Sequence, residues 1–129
     1  MLIFHIESLP LEALIGFVET CNCTVGVAAH GDTTVEDISE YAKHADYIQL
    51  MGIREIGAQG QDFDETVLER IEELRTQFPE KVIAVDGSVN EETIVQLKKA
   101  GVTRMIAGSA IVQQDNPKEA RDKLSALIN

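Results

Sequence analysis

Short apolar runs recur along this chain at residues 2–7, 24–29, 46–51, 82–86 and 104–107, and a stretch with apolar residues at helical spacing follows each. The runs start about 22 residues apart, except where a longer connection follows Met51. That interval accommodates one strand, one helix and two short turns, so the alternation predicts five parallel strands joined by crossover helices. Pro10 opens the first helical stretch, where Leu11, Leu14, Ile15 and Val18 share a face. Asp32 or Thr33 is placed to cap the second, which runs to about His44, with Glu36 and Asp37 in its first turn. The third spans about 64–78 and ends at Pro79; the fourth spans 90–100; Asn116-Pro117 starts the last. No linker interrupts the series, and the 129 residues read as one domain.

Alternation within the strands assigns side chains to faces. Ile48 with Leu50, and Ile83 with Val85, suit a surface covered by helices. Gln49 with Met51, Ala84 with Asp86, and His5 with Glu7 fall on the opposite face. One face is therefore aliphatic and the other mixed, as in a sheet that carries a site on its inner side. Two open edges and an inner face without helices would be liabilities in water, which predicts a homo-oligomer or pairing with a complementary N-terminal half.

The chemistry concentrates where strands end. Asp86-Gly87-Ser88 and Gly108-Ser109 each stand at the hand-over from a strand to a helix, where small residues let backbone N–H groups approach an anion. Phosphate is the natural ligand, and Asp86 would stand beside it as a carboxylate for proton transfer or metal binding. The formal charge of −11 argues against nucleic acid and anionic membranes, but not against a small phosphorylated ligand held by backbone amides. The N-terminal apolar run is too short for a membrane span and lacks the basic flank of a signal peptide, so a cytoplasmic location is expected. Cys21 and Cys23 are too close for a relaxed bridge and lack the partners of a zinc site. The acidic run Asp62, Asp64, Glu65, Glu69, Glu72, Glu73 reads as a solvated helix face. No Ser-His-Asp order, HExxH, Walker loop or GxGxxG occurs.

Three ordered motifs resemble one family. The segments IAVDGSVNEETI, AGVTRMIAGSAI and ELRTQFP look like the last two βα units of ribulose-phosphate 3-epimerase, a phosphate-binding TIM barrel. LIFHIES is similar to that family's fourth strand, TVGVAAHGDTTVE to its fifth and YIQLMGI to its sixth, so the resemblance covers the last five of eight units. It implies a partial TIM barrel of about five βα units, half-barrel or flavodoxin-like, acting on a small sugar phosphate by interconverting ribulose 5-phosphate and xylulose 5-phosphate. By motif, Asp86 takes the place of a catalytic aspartate and metal ligand. Gly60, Gly87, Ser88, Gly108 and Ser109 would bind phosphate, and Met51 and His5 would line the substrate. The resemblance also implies a divalent metal, Zn, Fe or Mn. The family's other aspartate and its two metal-binding histidines belong to the three units without a counterpart here. Two other readings fit the same motifs: a non-catalytic sugar-phosphate-binding or assembly module, and a relative of hexulose-phosphate synthase.

Overall fold

A computed structural model describes residues 1–54 and 61–129. Five strands, β1 (Leu2–His5), β2 (Val25–Ala29), β3 (Tyr47–Met51), β4 (Val82–Asp86) and β5 (Arg104–Ile106), form one sheet in the order β1-β2-β3-β4-β5, with every pair parallel. The connections carry α1 (Leu11–Thr20), α2 (Val35–Ala42), α3 (Thr66–Gln77) and α4 (Ile94–Ala100). A short α5 (Ser109–Val112) and a final α6 (Pro117–Ile128) follow β5. Sequential order with helices in every crossover makes this an open α/β half-barrel, as the alternation predicts.

The strands register in rows that sort the two faces. Phe4, Val27 and Ile48 pair across β1 to β3, and Ile48 continues to Ile83. These residues and their same-face neighbours Val25, Leu50 and Val85 meet Leu14, Ile38, Ile71, Leu74 and Leu97 from the helices in one core. Each fully buried side chain of this kind contributes about 1.5–3 kcal/mol of transfer free energy. Phe4 also meets Phe17 of α1 edge to face, with centroids 5.2 Å apart.

The opposite face reads His5, Ala28, Gln49, Ala84 and Arg104 in one row. Met51, Asp86 and Ile106 form the next row toward the carboxyl ends. This face is less open than its lack of helices suggests. Ala28, Tyr47 and Ala84 are buried, Gln49 is nearly so, and the Tyr47 ring lies over Gly26, where a Cβ would come within 2.8 Å of Tyr47 Cδ1. Arg104 stacks on Tyr47 with its guanidinium carbon 5.2 Å from the ring centroid. Small residues flanked by two long side chains thus cover much of the inner face from within the chain. Exposure is concentrated instead at the β1 edge, where Leu2 and Ile3 are 47% and 37% exposed.

Local chemistry fixes the helix ends. Thr34, not Asp32 or Thr33, caps α2: its hydroxyl oxygen accepts from the Asp37 N–H at 3.2 Å and its O–H donates to Asp37 Oδ2 at 2.8 Å. Asn116 caps α6 by accepting from the Glu119 N–H, with Pro117 at the first helical position. Gly101 closes α4 at φ 108°, a left-handed conformation natural to glycine. The first run ends as a strand at His5, and Ile6–Ser8 turn as a 3-10 helix, which swings Glu7 toward β2.

Candidate functional site

Asp86 is the last residue of β4, between Met51 of β3 and Ile106 of β5 on the inner face. Its carboxylate accepts no hydrogen bond from the described residues, so it does not close an Asx turn onto Ser88 or Val89. Its negative charge reaches Tyr47. Burial first, and then Asp86, push the Tyr47 phenol above its ordinary range against the opposing pull of Arg104. A half-buried, unsatisfied carboxylate at the carboxyl end of a strand is available to a ligand proton.

Beside it the backbone takes an unusual course. Gly87 has φ 99° and Ser88 φ 52°, so two consecutive residues are left-handed, and Ser88 is the one non-glycine residue with positive φ among those described. The turn is held from three sides. The Ser88 hydroxyl donates to Gln61 O at 2.8 Å, Ser88 O accepts from the Thr93 hydroxyl at 2.7 Å, and the Gly52 N–H donates to Asp86 O at 2.8 Å. Gly52 must be glycine for this approach, since a Cβ there would stand 2.3 Å from Gly87 O. On the adjacent strand Gly108 and Ser109 begin α5. The N–H groups of Ile111 and Val112 both donate to Gly108 O, and the N–H groups ahead of them have no carbonyl within the helix to bond. Asp86 pairs with Ile106, so the two small-residue turns leave the same end of neighbouring strands.

Met51 is buried in the same row as Asp86. His5 lies on this face but belongs to β1, three strands from β4, about 14 Å along the sheet at normal strand spacing. The structure thus brings Met51, Asp86, Gly87, Ser88, Gly108 and Ser109 together and leaves His5 apart. Gly60 falls outside the described residues.

Two side chains that support this end of the sheet escape a reading by spacing. Asp64, grouped with the solvated acids by sequence, is 9% exposed and accepts from both the N–H and the hydroxyl of Thr66, with Arg54 3.4 Å away. Burial alone would raise its pKa; the Thr66 bonds and Arg54 outweigh that and hold the carboxyl below its ordinary range. Its backbone N–H donates to Gly52 O, tying α3 to the site. Arg70 donates to the carbonyls of His30, Gly31 and Thr33, which fixes the loop after β2. Asp-x-Thr before a helix is a capping signal that could have revealed Asp64. Arg70 carried none.

Similarity to known proteins agrees with this placement. The profile of the Ribulose-phosphate 3 epimerase family matches residues 1–112. The chain belongs to this family. It is 33% identical to ribulose-phosphate 3-epimerase of Bacillus subtilis over 122 residues, covering 90% of this chain and 56% of that protein. It is 32% identical to the Candida glabrata epimerase over 118 residues, covering 90% and 47%. The chain therefore spans about half the length of these epimerases. Among solved structures, a 3-hexulose-6-phosphate synthase superposes with a TM-score of 0.77 at 23% identity, over 99% of this chain and 62% of its own. KGPDC from Streptococcus mutans, solved in complex with a sugar phosphate, superposes with a TM-score of 0.78 at 16% identity, over 98% and 61%. At these identities the two structures establish a shared fold.

The metal implied by resemblance does not fit at Asp86. Among the described residues Asp86 belongs to no group of three or more His, Cys, Asp or Glu donors, and one carboxylate does not hold a transition metal tightly. No helix among the described residues is long and apolar enough to cross a membrane.

Proposed function

We propose that this chain forms the phosphate-facing half of an epimerase-type sugar-phosphate site, with ribulose 5-phosphate as its ligand. The observation that carries this reading is the unsatisfied Asp86 carboxylate flanked by the turns at Gly87–Ser88 and Gly108–Ser109 on neighbouring strands. In this arrangement the backbone amides of the two turns receive the phosphate, and Gly60 joins them from the loop after β3. Met51 packs against the sugar. Asp86 stands at the carbon whose proton moves, its oxygen accepting the proton from one face. Stereochemical inversion needs a second acid–base group on the other face. We infer that a second copy or a complementary N-terminal half supplies it. The sugar phosphate held by KGPDC supports this ligand class.

Calorimetric titration with ribulose 5-phosphate tests the reading. We expect saturable binding that Ser109→Asp abolishes, by placing a negative charge against the phosphate, and that Asp86→Asn preserves. Binding indifferent to Ser109→Asp would refute it. Solvent deuterium incorporation at the inverted carbon of the sugar separates enzyme from binding module. Exchange lost in Asp86→Asn marks a working proton-transfer site. A folded protein that binds the sugar without exchange is the non-catalytic module.

A further inference from the structure

At the other end of the inner face, His5, Glu7 and His30 bring three metal-ligating side chains together. His5 ends β1, Glu7 is carried on the 3-10 turn that follows, and His30 stands just past β2. Glu7 Oε2 lies 3.7 Å from His5 Nδ1 and 3.7 Å from His30 Nε2, and all three ligand atoms lie within 4.8 Å of one another. These separations exceed a hydrogen bond, so neither imidazole donates to Oε2. They sit just above the ~3.3 Å edge of a tetrahedron built on zinc–ligand bonds of about 2.0–2.1 Å.

Glu7 is oriented for this. Its other oxygen, Oε1, accepts from the His30 N–H at 2.8 Å and from the Thr33 hydroxyl, which leaves Oε2 directed between the two rings. His5 Nδ1 is shielded from solvent and makes no hydrogen bond, which is costly for a ring nitrogen without a further partner. The His30 loop is itself fixed by the three carbonyl bonds from Arg70. Two imidazoles, one carboxylate, a hydrogen-bonded outer oxygen and a braced loop are the parts of a metal site with its supporting shell.

We propose that His5 Nδ1, Glu7 Oε2 and His30 Nε2 bind a divalent transition metal of the Zn²⁺ or Co²⁺ class, with one open position for water or a ligand oxygen. This centre is separate from Asp86 and shares no residue with the phosphate turns. Asp86 lies two strands from β2, about 10 Å along the sheet. Bound metal would pin the free edge strand β1 to the loop after β2.

The test uses the metal alone, without sugar phosphate, so it stands or falls independently of the function proposed above. Cys21 and Cys23 have sulfurs 3.5 Å apart and are a competing soft pair, so the full chain is titrated as Cys21→Ser/Cys23→Ser alongside the native protein. Visible absorption with Co²⁺ and calorimetry with Zn²⁺ are expected to show one metal per chain in both. The Co²⁺ bands should have four-coordinate intensity and no thiolate charge transfer. Glu7→Gln, which keeps the acceptors for His30 and Thr33, and His30→Asn should each weaken binding by about 100-fold or more, and Thr33→Val by roughly 10–100-fold. A readout without these substitutions is proton NMR: Co²⁺ should shift the ring protons of His5 and His30 and leave His44 unaffected. Absence of saturable binding, binding unchanged by Glu7→Gln and His30→Asn, or binding lost only with the cysteines would each overturn the proposal.

Discussion

Gly52 is the position where the geometry of the candidate site is most exposed to a single methyl group. Its N–H donates to Asp86 O, its carbonyl accepts from the Asp64 N–H, and a Cβ would stand 2.3 Å from Gly87 O, 3.2 Å from Val85 Cγ1 and 3.3 Å from Gly87 C. Gly52→Ala must therefore move the Gly87 carbonyl by about 0.7 Å to reach even a tight contact. Both flanking segments are backbone in a hydrogen-bonded sheet, so the displacement falls on the turn rather than on a flexible side chain. Overpacking of this kind costs about 1–3 kcal/mol, and weakening the bond to Asp86 adds ~0.5–1.5 kcal/mol. A loss of about 2–4 kcal/mol follows. With an unfolding entropy near 2.1 cal/mol/K per residue over 129 residues, Tm should fall by roughly 7–15 °C. Urea denaturation with linear extrapolation measures the loss directly, and an unchanged m value would show that the denatured state is not responsible. A Gly52→Ala protein within about 0.5 kcal/mol of wild type would refute the claim that β3 and β4 hold the Asp86 turn by this close approach.

Gly16→Ala is the counterpart: it lies in α1 with nothing within 4 Å of its missing Cβ, so urea midpoints should rise by the equivalent of about 0.5–1 kcal/mol. Arg75→Met removes the donor that serves Phe78, Pro79, Lys81 and Gly101 carbonyls at once, and a stability loss of about 2–4 kcal/mol is expected by the same assay. For Asp64 the folded carboxyl lies below its ordinary range, so its contribution is full above that range and disappears as pH falls through the folded value. Stability measured against pH should therefore fall less steeply on acidification in Asp64→Asn than in wild type. An equal slope would contradict the Thr66 and Arg54 account.

The alternation of apolar runs and the periodicity within them made the sheet order and both faces legible, because period 2 and period 3.6 are local properties of the chain. Asp86 and the small residues of the two turns were legible for the same reason: they follow apolar runs directly. What the periodicity hid depends on register. Nothing in the spacing says that Glu7 reaches the His30 amide, since that requires β1 to pair with β2 so that His5 stands opposite Ala28. Arg70 likewise acts on carbonyls 37–40 residues away. The inner face was expected to be open because helices cover only one side. Tyr47 over Gly26 and Arg104 over Tyr47 close much of it, and a cross-strand fit of large on small is invisible until neighbours are known.

The most direct test of the sugar-phosphate site is a ¹⁵N–¹H NMR titration of the full chain with ribulose 5-phosphate. Saturable shifts concentrated at the Gly87, Ser88, Gly108 and Ser109 amides, absent in Ser109→Asp, are predicted. No shifts, or shifts confined to other parts of the chain, would contradict the assignment of these two turns as the phosphate cradle.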